Sequence, residues 1–248
     1  MISVSSVLKK QSGLRGAGLL LLAPMTNGKI ENVYEFPAKE ETKSLVILLH
    51  GLGSNGQDLI SLAPMWAMDL PQTTFVSPDA PFVCDMVPPG YPNSYQWFSL
   101  QSRDPESILT GVETAFPILK EFIEAQLKKY AVSPENLVLC GFSQGTMMSL
   151  YTAPRLSHEI AGVLGYSGAL VGGEELLEGG EEVFNKPPVH LIHGEADDVV
   201  PVSAWHDARK VLEKAGFELS GHTAPGLPHS IDDMGIDSGL AFMKSVLY

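Results

Sequence analysis

Two rhythms of apolar residues alternate along this chain. The first is a short run with no polar interruption, stopped by a glycine, a proline or a polar turn. SLVILLH at residues 44–50 is such a run, and glycine follows it at once. A run apolar at every position, not every second one, predicts a strand buried on both faces. TTFVSP (73–78), NLVLCG (136–141), AGVLGYS (161–167) and PVHLIHG (188–194) share that character. IENVYEF (30–36) alternates and predicts an edge strand, and FELSGHT (217–223) predicts a weaker final strand.

The second rhythm spaces apolar residues by three and four. Ile108, Val112, Phe116, Leu119, Phe122 and Ile123 follow it, with Asp104 placed to cap the helix and Pro105 at its first position. Pro117 falls inside this pattern and predicts a kink or a split. Further helices are expected through TMMSLYTA (146–153), through SAWHDARKVLEKAG (203–216), stopped by Gly216, and through SGLAFMKSVLY (238–248). Strands that alternate with helices imply right-handed crossovers. The expected fold class is α/β, a mostly parallel central sheet with helices on both faces. Such sheets carry their chemistry at the carboxyl ends of the strands.

Four stretches meet that rule. CGFSQGTMMS places Ser143 between Gly141 and Gly145 at a strand-to-helix junction. A turn that tight projects the serine hydroxyl clear of the sheet, over the electropositive start of a helix. LLHGLGSNGQD follows the strand from Ser44, and its glycines expose backbone N–H groups. Acyl transfer needs two such donors for the oxyanion that forms, and the Leu52 and Gln144 N–H groups are the natural pair. No Gly-Lys-Ser/Thr follows, so the loop is no phosphate cradle. HLIHGEADDVVP delivers Glu195, Asp197 and Asp198 after a late strand. APGLPHSIDDMG puts His229 in a loop between the last strand and the last helix. Among the 7 histidines, only His229 sits in a loop late enough to complete the order Ser, Asp, His; His206 and His222 also follow the acids but lie in helical, surface or strand patterns. His50 and His193 each precede a glycine at a strand end and read as structural supports.

Composition narrows the partners. Net charge is −13, which disfavours nucleic acid and non-specific docking to anionic lipid. With 44% hydrophobic residues, the chain can fill a large core. Cys84 and Cys140 lie far apart, form no metal-type cluster, and read as free thiols in a reducing compartment, Cys140 buried and inert. Lys9, Lys10 and Arg15 precede a short apolar stretch at 17–23, a weak leader-like pattern too short to cross a bilayer. Residues 1–24 are therefore read as an extension of unknown role and 25–248 as the domain, with a cytoplasmic location expected.

LHGLG, GFSQG, HGEADDVVP and GLPHSID together resemble the phospholipase/carboxylesterase family of α/β-hydrolases, which includes bacterial carboxylesterases and acyl-protein thioesterases. VSPDAPF and QWFSL extend the similarity over residues 25–248. The resemblance implies Ser143 as nucleophile, His229 as base and Asp197 as the acid, the fifth residue of an HGDxD-type motif. Glu195 stands where that motif has its first aspartate, and the adjacent Asp198 remains an alternative acid. Leu52 and Gln144 fit the oxyanion donors. Trp97 and Phe98 match the family's substrate-binding WF, with Met86 and Leu100 near the same pocket. The segment before Trp97 is longer than the common version. The implied reaction is carboxylic-ester hydrolysis on short- to medium-chain acyl esters, without metal or cofactor. Acyl-protein thioesterase or lysophospholipase activity is the alternative, and a non-catalytic binding module the remote one. A small-molecule acyl ester is the expected partner, without nucleic acid or stable membrane insertion, and related bacterial esterases suggest a homodimer.

Overall fold

The computed structural model describes residues 28–88, 90–179 and 183–248. The extension expected at 1–24 lies outside them. Among the described residues nine strands run β1 (Val33–Phe36), β2 (Ser44–Leu49), β3 (Thr73–Pro78), β4 (Phe82–Val83), β5 (Tyr95–Gln96), β6 (Leu137–Phe142), β7 (Gly162–Tyr166), β8 (Val189–Gly194) and β9 (Leu219–Ala224). The helices are α1 (Gly56–Leu59), α2 (Ala63–Trp66), α3 (Pro105–Tyr130), α4 (Gln144–Thr152), α5 (Gly173–Glu178), α6 (Ser203–Lys214) and α7 (Asp233–Leu247). The main sheet has the order β1-β3-β2-β6-β7-β8-β9. Only β1 is antiparallel, pairing Val33 with Pro78 on β3; the other neighbours are parallel.

Every residue of β2, β3, β6, β7 and β8 is buried. The pleat explains why their sequences are mostly apolar on both faces. On β2, Leu45, Ile47 and Leu49 face a core closed by α3, α4 and α6, while Val46 and Leu48 face a second core with Trp66, Phe242 and Met243. The sheet reverses its order at β2 and β6: from β2 the chain steps outward to β3, and β6 then starts the walk the other way. The carboxyl ends of β2 and β6 form the crevice where such sheets bind ligands.

The helix expected to kink or split at Pro117 is not split; α3 runs unbroken from Pro105 to Tyr130. Pro117 sits on the exposed face, where water can satisfy the carbonyl that its missing N–H releases, while Val112, Ala115, Leu119 and Ile123 hold the opposite face in the core. The start of α3 matches its reading: Asp104 Oδ1 accepts from the Ser107 N–H at 2.8 Å. The last helix starts earlier than its apolar pattern, because Asp232 caps it by accepting from the Gly235 N–H at 2.8 Å.

Two buried histidines make stability depend on pH. The His50 Nδ1–H donates to the Gly51 carbonyl at 2.7 Å, which leaves Nε2 to accept from the Ala80 N–H at 2.9 Å. The ring is therefore neutral, and burial lowers its pKa to about 4. His190 is bonded through both nitrogens to Ser220 and Ser238 and is likewise lowered to about 4, by burial first and then by His222. Between pH 6.5 and about 4 the unfolded chain takes up protons that these native rings refuse. Their contribution is complete above 6.5 and is lost as pH falls toward 4. The urea midpoint should therefore fall steadily over that window, and an unchanged midpoint across it would contradict this account.

Candidate active site

Ser143 follows β6 directly and has φ 54° and ψ −115°, a region that residues with a Cβ avoid. Its neighbours explain how the turn is possible. A Cβ on Gly145 would lie 1.8 Å from the Leu49 carbonyl oxygen, and one on Gly141 would lie 2.4 Å from the Gly145 backbone and the Thr146 nitrogen. Both positions must be glycine for β2, β6 and α4 to pack this closely. The Ser143 N–H donates to the Tyr166 carbonyl at 2.9 Å. Thr146 braces the turn from below: its hydroxyl is 2.8 Å from the Gly141 and Tyr166 carbonyls and accepts from the Tyr166 N–H at 3.0 Å. The Ser143 hydroxyl itself has no hydrogen-bond partner among the described residues, and it stands at the N-terminus of α4.

Asp197 and His229 meet as the chain order suggests. The His229 Nδ1–H donates to Asp197 Oδ2 at 2.7 Å. The His229 ring stacks at a tilt on Phe142, centroids 4.8 Å apart, which sets it beside the Ser143 turn. Asp197 Oδ1 accepts from the Val199 and Val200 N–H groups at 2.9 and 2.8 Å. His193 Nε2 is 2.8 Å from the Val200 carbonyl and 3.4 Å from Asp197 Oδ2, so it carries its proton on that nitrogen. Burial alone would raise the Asp197 pKa. The bonds from His193, His229 and Val200, with the charge of His229, outweigh it and hold this carboxyl well below the usual carboxylate range. Asp198 is exposed, and Glu195 accepts from the Thr223 hydroxyl at 2.8 Å instead of entering the group.

The loop after β2 reaches Ser143 from the other side. A Cβ on Gly51 would lie 3.2 Å from the Ser143 Cβ. Gly53, at φ 79°, turns the chain away, and its N–H donates to the Tyr95 carbonyl at 2.8 Å. The Leu52 and Gln144 N–H groups donate to no loop or side-chain acceptor among the described residues.

Trp97 and Phe98 stand close by, but inside the core, at 0% and 3% exposure. Met86 is 41% exposed on the segment leading to them, and Leu100 is partly buried against the core. Local pattern gave no sign of the Gln144 side chain, which bonds both Trp97 and Phe98, or of the His193 contact with Asp197. The first joins residues 46 and 47 positions apart; the second spans the end of β8 and the turn after it, four positions apart. Among the described residues no group of three or more His, Cys, Asp or Glu is arranged to hold a metal ion, and no helix is long and apolar enough to cross a membrane.

The sheet order and the groups at its carboxyl edge define an α/β-hydrolase. The chain belongs to the phospholipase/carboxylesterase family, whose model matches residues 32–247. It is 40% identical to a solved structure titled esterase PE8, with a TM-score of 0.81 over 88% of this chain and 100% of that one. It is 30% identical to acyl-protein thioesterase 1 of Kluyveromyces lactis, over 84% of this chain and 94% of that protein. Acyl-protein thioesterase 1 of Gibberella zeae is 27% identical over 90% and 98%.

Proposed function

We propose that the chain is a serine carboxylic-ester hydrolase acting through an acyl-enzyme. The observation that carries this reading is the 2.7 Å bond from His229 to the ionised, buried Asp197, beside a serine held in a strained turn. Asp197 keeps the proton on Nδ1 of His229, which leaves Nε2 free to take the Ser143 proton as Oγ attacks the ester carbonyl. The Leu52 and Gln144 N–H groups receive the oxyanion, and such a donor typically lowers the barrier by ~2.7–4 kcal/mol. The imidazolium returns its proton to the leaving alkoxide. Water, deprotonated by the same nitrogen, then cleaves the acyl-serine and releases the acid. Every proton transfer is served by a side chain, so the reaction requires no cofactor. The exposed apolar Val83, Met86 and Tyr91 lie on the segment that packs on the Leu52 loop, and they offer surface for an acyl chain.

A second reading keeps this chemistry and changes the leaving group. The thioesterase names of relatives at 27–30% identity favour thioester hydrolysis, and the 40% identical esterase favours oxygen esters. A fluorophosphonate probe should label the active protein at Ser143. A panel of matched oxygen and thiol esters from short to long chains should then give its highest kcat/KM on a short or medium oxygen ester. Active protein that resists the probe, or is labelled at another residue, sinks the mechanism; a clear preference for thiol esters selects the second reading.

A further inference from the structure

Gln144 stands next to the serine for a second reason, which lies in its side chain. The carboxamide is 1% exposed and grips one peptide segment with both ends. Its Oε1 accepts from the Trp97 N–H at 2.9 Å, and its Nε2 donates to the Phe98 carbonyl at 2.8 Å. The Trp97 indole N–H then reaches across to the His50 carbonyl at 3.0 Å. His50 precedes the Gly51-Leu52 turn, and its own ring holds that turn through Gly51 and Ala80. A continuous set of hydrogen bonds thus runs from the residue that bears one oxyanion N–H to the loop that bears the other. The bridging segment is fixed independently on its far side. A Cβ on Gly111 would lie 2.7 Å from the Phe98 Cβ, so Phe98 packs into a glycine notch near the start of α3. A glycine inside a helix costs about 1 kcal/mol relative to alanine, and here it admits the segment that Gln144 holds.

We infer that the Gln144 carboxamide and the Trp97 indole form a positioning bridge that sets the spacing of the Leu52 and Gln144 N–H groups. The inference rests on the acyl-enzyme reading above. Neither side chain touches substrate in this role. Both act through the backbone donors, whose alignment matters only when negative charge develops on the carbonyl oxygen.

Gln144→Met keeps length and apolar volume but removes both bonds. Trp97→Phe keeps an aromatic ring and removes the indole donor. Each should lower kcat about 10- to 100-fold, with KM changed less than about threefold. Affinity for an alkyl boronic acid, which forms a tetrahedral adduct on the serine, should fall by the same factor as kcat/KM. Binding of the carboxylic acid product should hold. The double variant should be little worse than the worse single one, because each breaks the same bridge. The inference is overturned if KM rises while kcat stays, which makes the segment a substrate wall, or if boronate affinity is unchanged. If Gln144→Met does not fold, Trp97→Phe carries the same test. Fluorophosphonate labelling of the wild type separates the two levels: no labelling at Ser143 removes the acyl-enzyme reading, while normal labelling with unaffected variants removes only the bridge.

Discussion

Ser143→Ala is expected to lower kcat on a p-nitrophenyl ester by about 10⁴-fold or more, while the melting temperature stays within about a degree of wild type. The two halves of that result have separate causes. Activity is lost because the hydroxyl proposed to form the acyl bond is gone; His229 and Asp197 can move a proton but have nothing to activate. Stability is kept because the hydroxyl has no protein partner to lose, and alanine retains the Cβ that the turn already tolerates. Retained activity above a tenth of wild type would remove Ser143 as nucleophile. Ser143→Gly sharpens the test. Glycine enters φ 54°, ψ −115° without the clash that a Cβ causes, and such strain costs of order 1–3 kcal/mol. The glycine variant should be equally inactive yet melt roughly 2–6 °C higher. An enzyme that becomes more stable on losing its nucleophile holds that nucleophile against a steric cost, as a strained active site requires. A lower melting temperature for Ser143→Gly would mean that the surrounding packing has relaxed the turn.

Much of this site was legible in the sequence because a parallel sheet writes itself plainly. A strand buried on both faces is mostly apolar, so β2, β6, β7 and β8 stand out, and the rule of carboxyl ends then points to Ser143, Leu52, the acids at 195, 197 and 198 and His229 without any contact being known, Asp197 being singled out by the family resemblance. The glycines at 141 and 145 could be read as turn formers; that they are needed because Leu49 and Thr146 leave no room for a Cβ could not. What stayed hidden depends on partners distant in sequence. Gln144 finds Trp97 across 47 positions, and no local period records that. The hairpin of β4 and β5 has only two residues per strand, too few to show alternation, and α1 follows from an Asn55 cap that reads as one more polar loop residue. Pro117 leaves α3 unsplit for the opposite reason: its local rule is strong, but it weakens on a face open to water. The WF pair, expected at the substrate pocket, has both side chains buried, one tied to His50 and the other notched into α3.

The choice between the two neighbouring aspartates rests on geometry that a single amide can test. Asp197→Asn should reduce kcat by about 10⁴-fold, and Asp198→Asn should leave it within about twofold. Asparagine at 197 can keep its oxygen toward the Val199 and Val200 N–H groups, which places its NH2 against His229 and His193. Two N–H donors then oppose each other at each histidine. His193 cannot give way, because its Nε2 proton is committed to the Val200 carbonyl. His229 can, by moving its proton to Nε2, and in that tautomer it no longer accepts the proton of Ser143. The reverse amide orientation satisfies His229 but sets the NH2 against two backbone donors, a worse arrangement. The variant therefore loses both the base and some stability, of order 1–3 kcal/mol for a mispaired buried group. Asp198 is exposed, and neutralising it removes one surface charge from a chain of net charge −13. A larger loss at 198 than at 197 would reverse the assignment of the acid. Equal small losses would mean that His229 is oriented by its packing on Phe142, and that the carboxylate serves the loop that His193 closes.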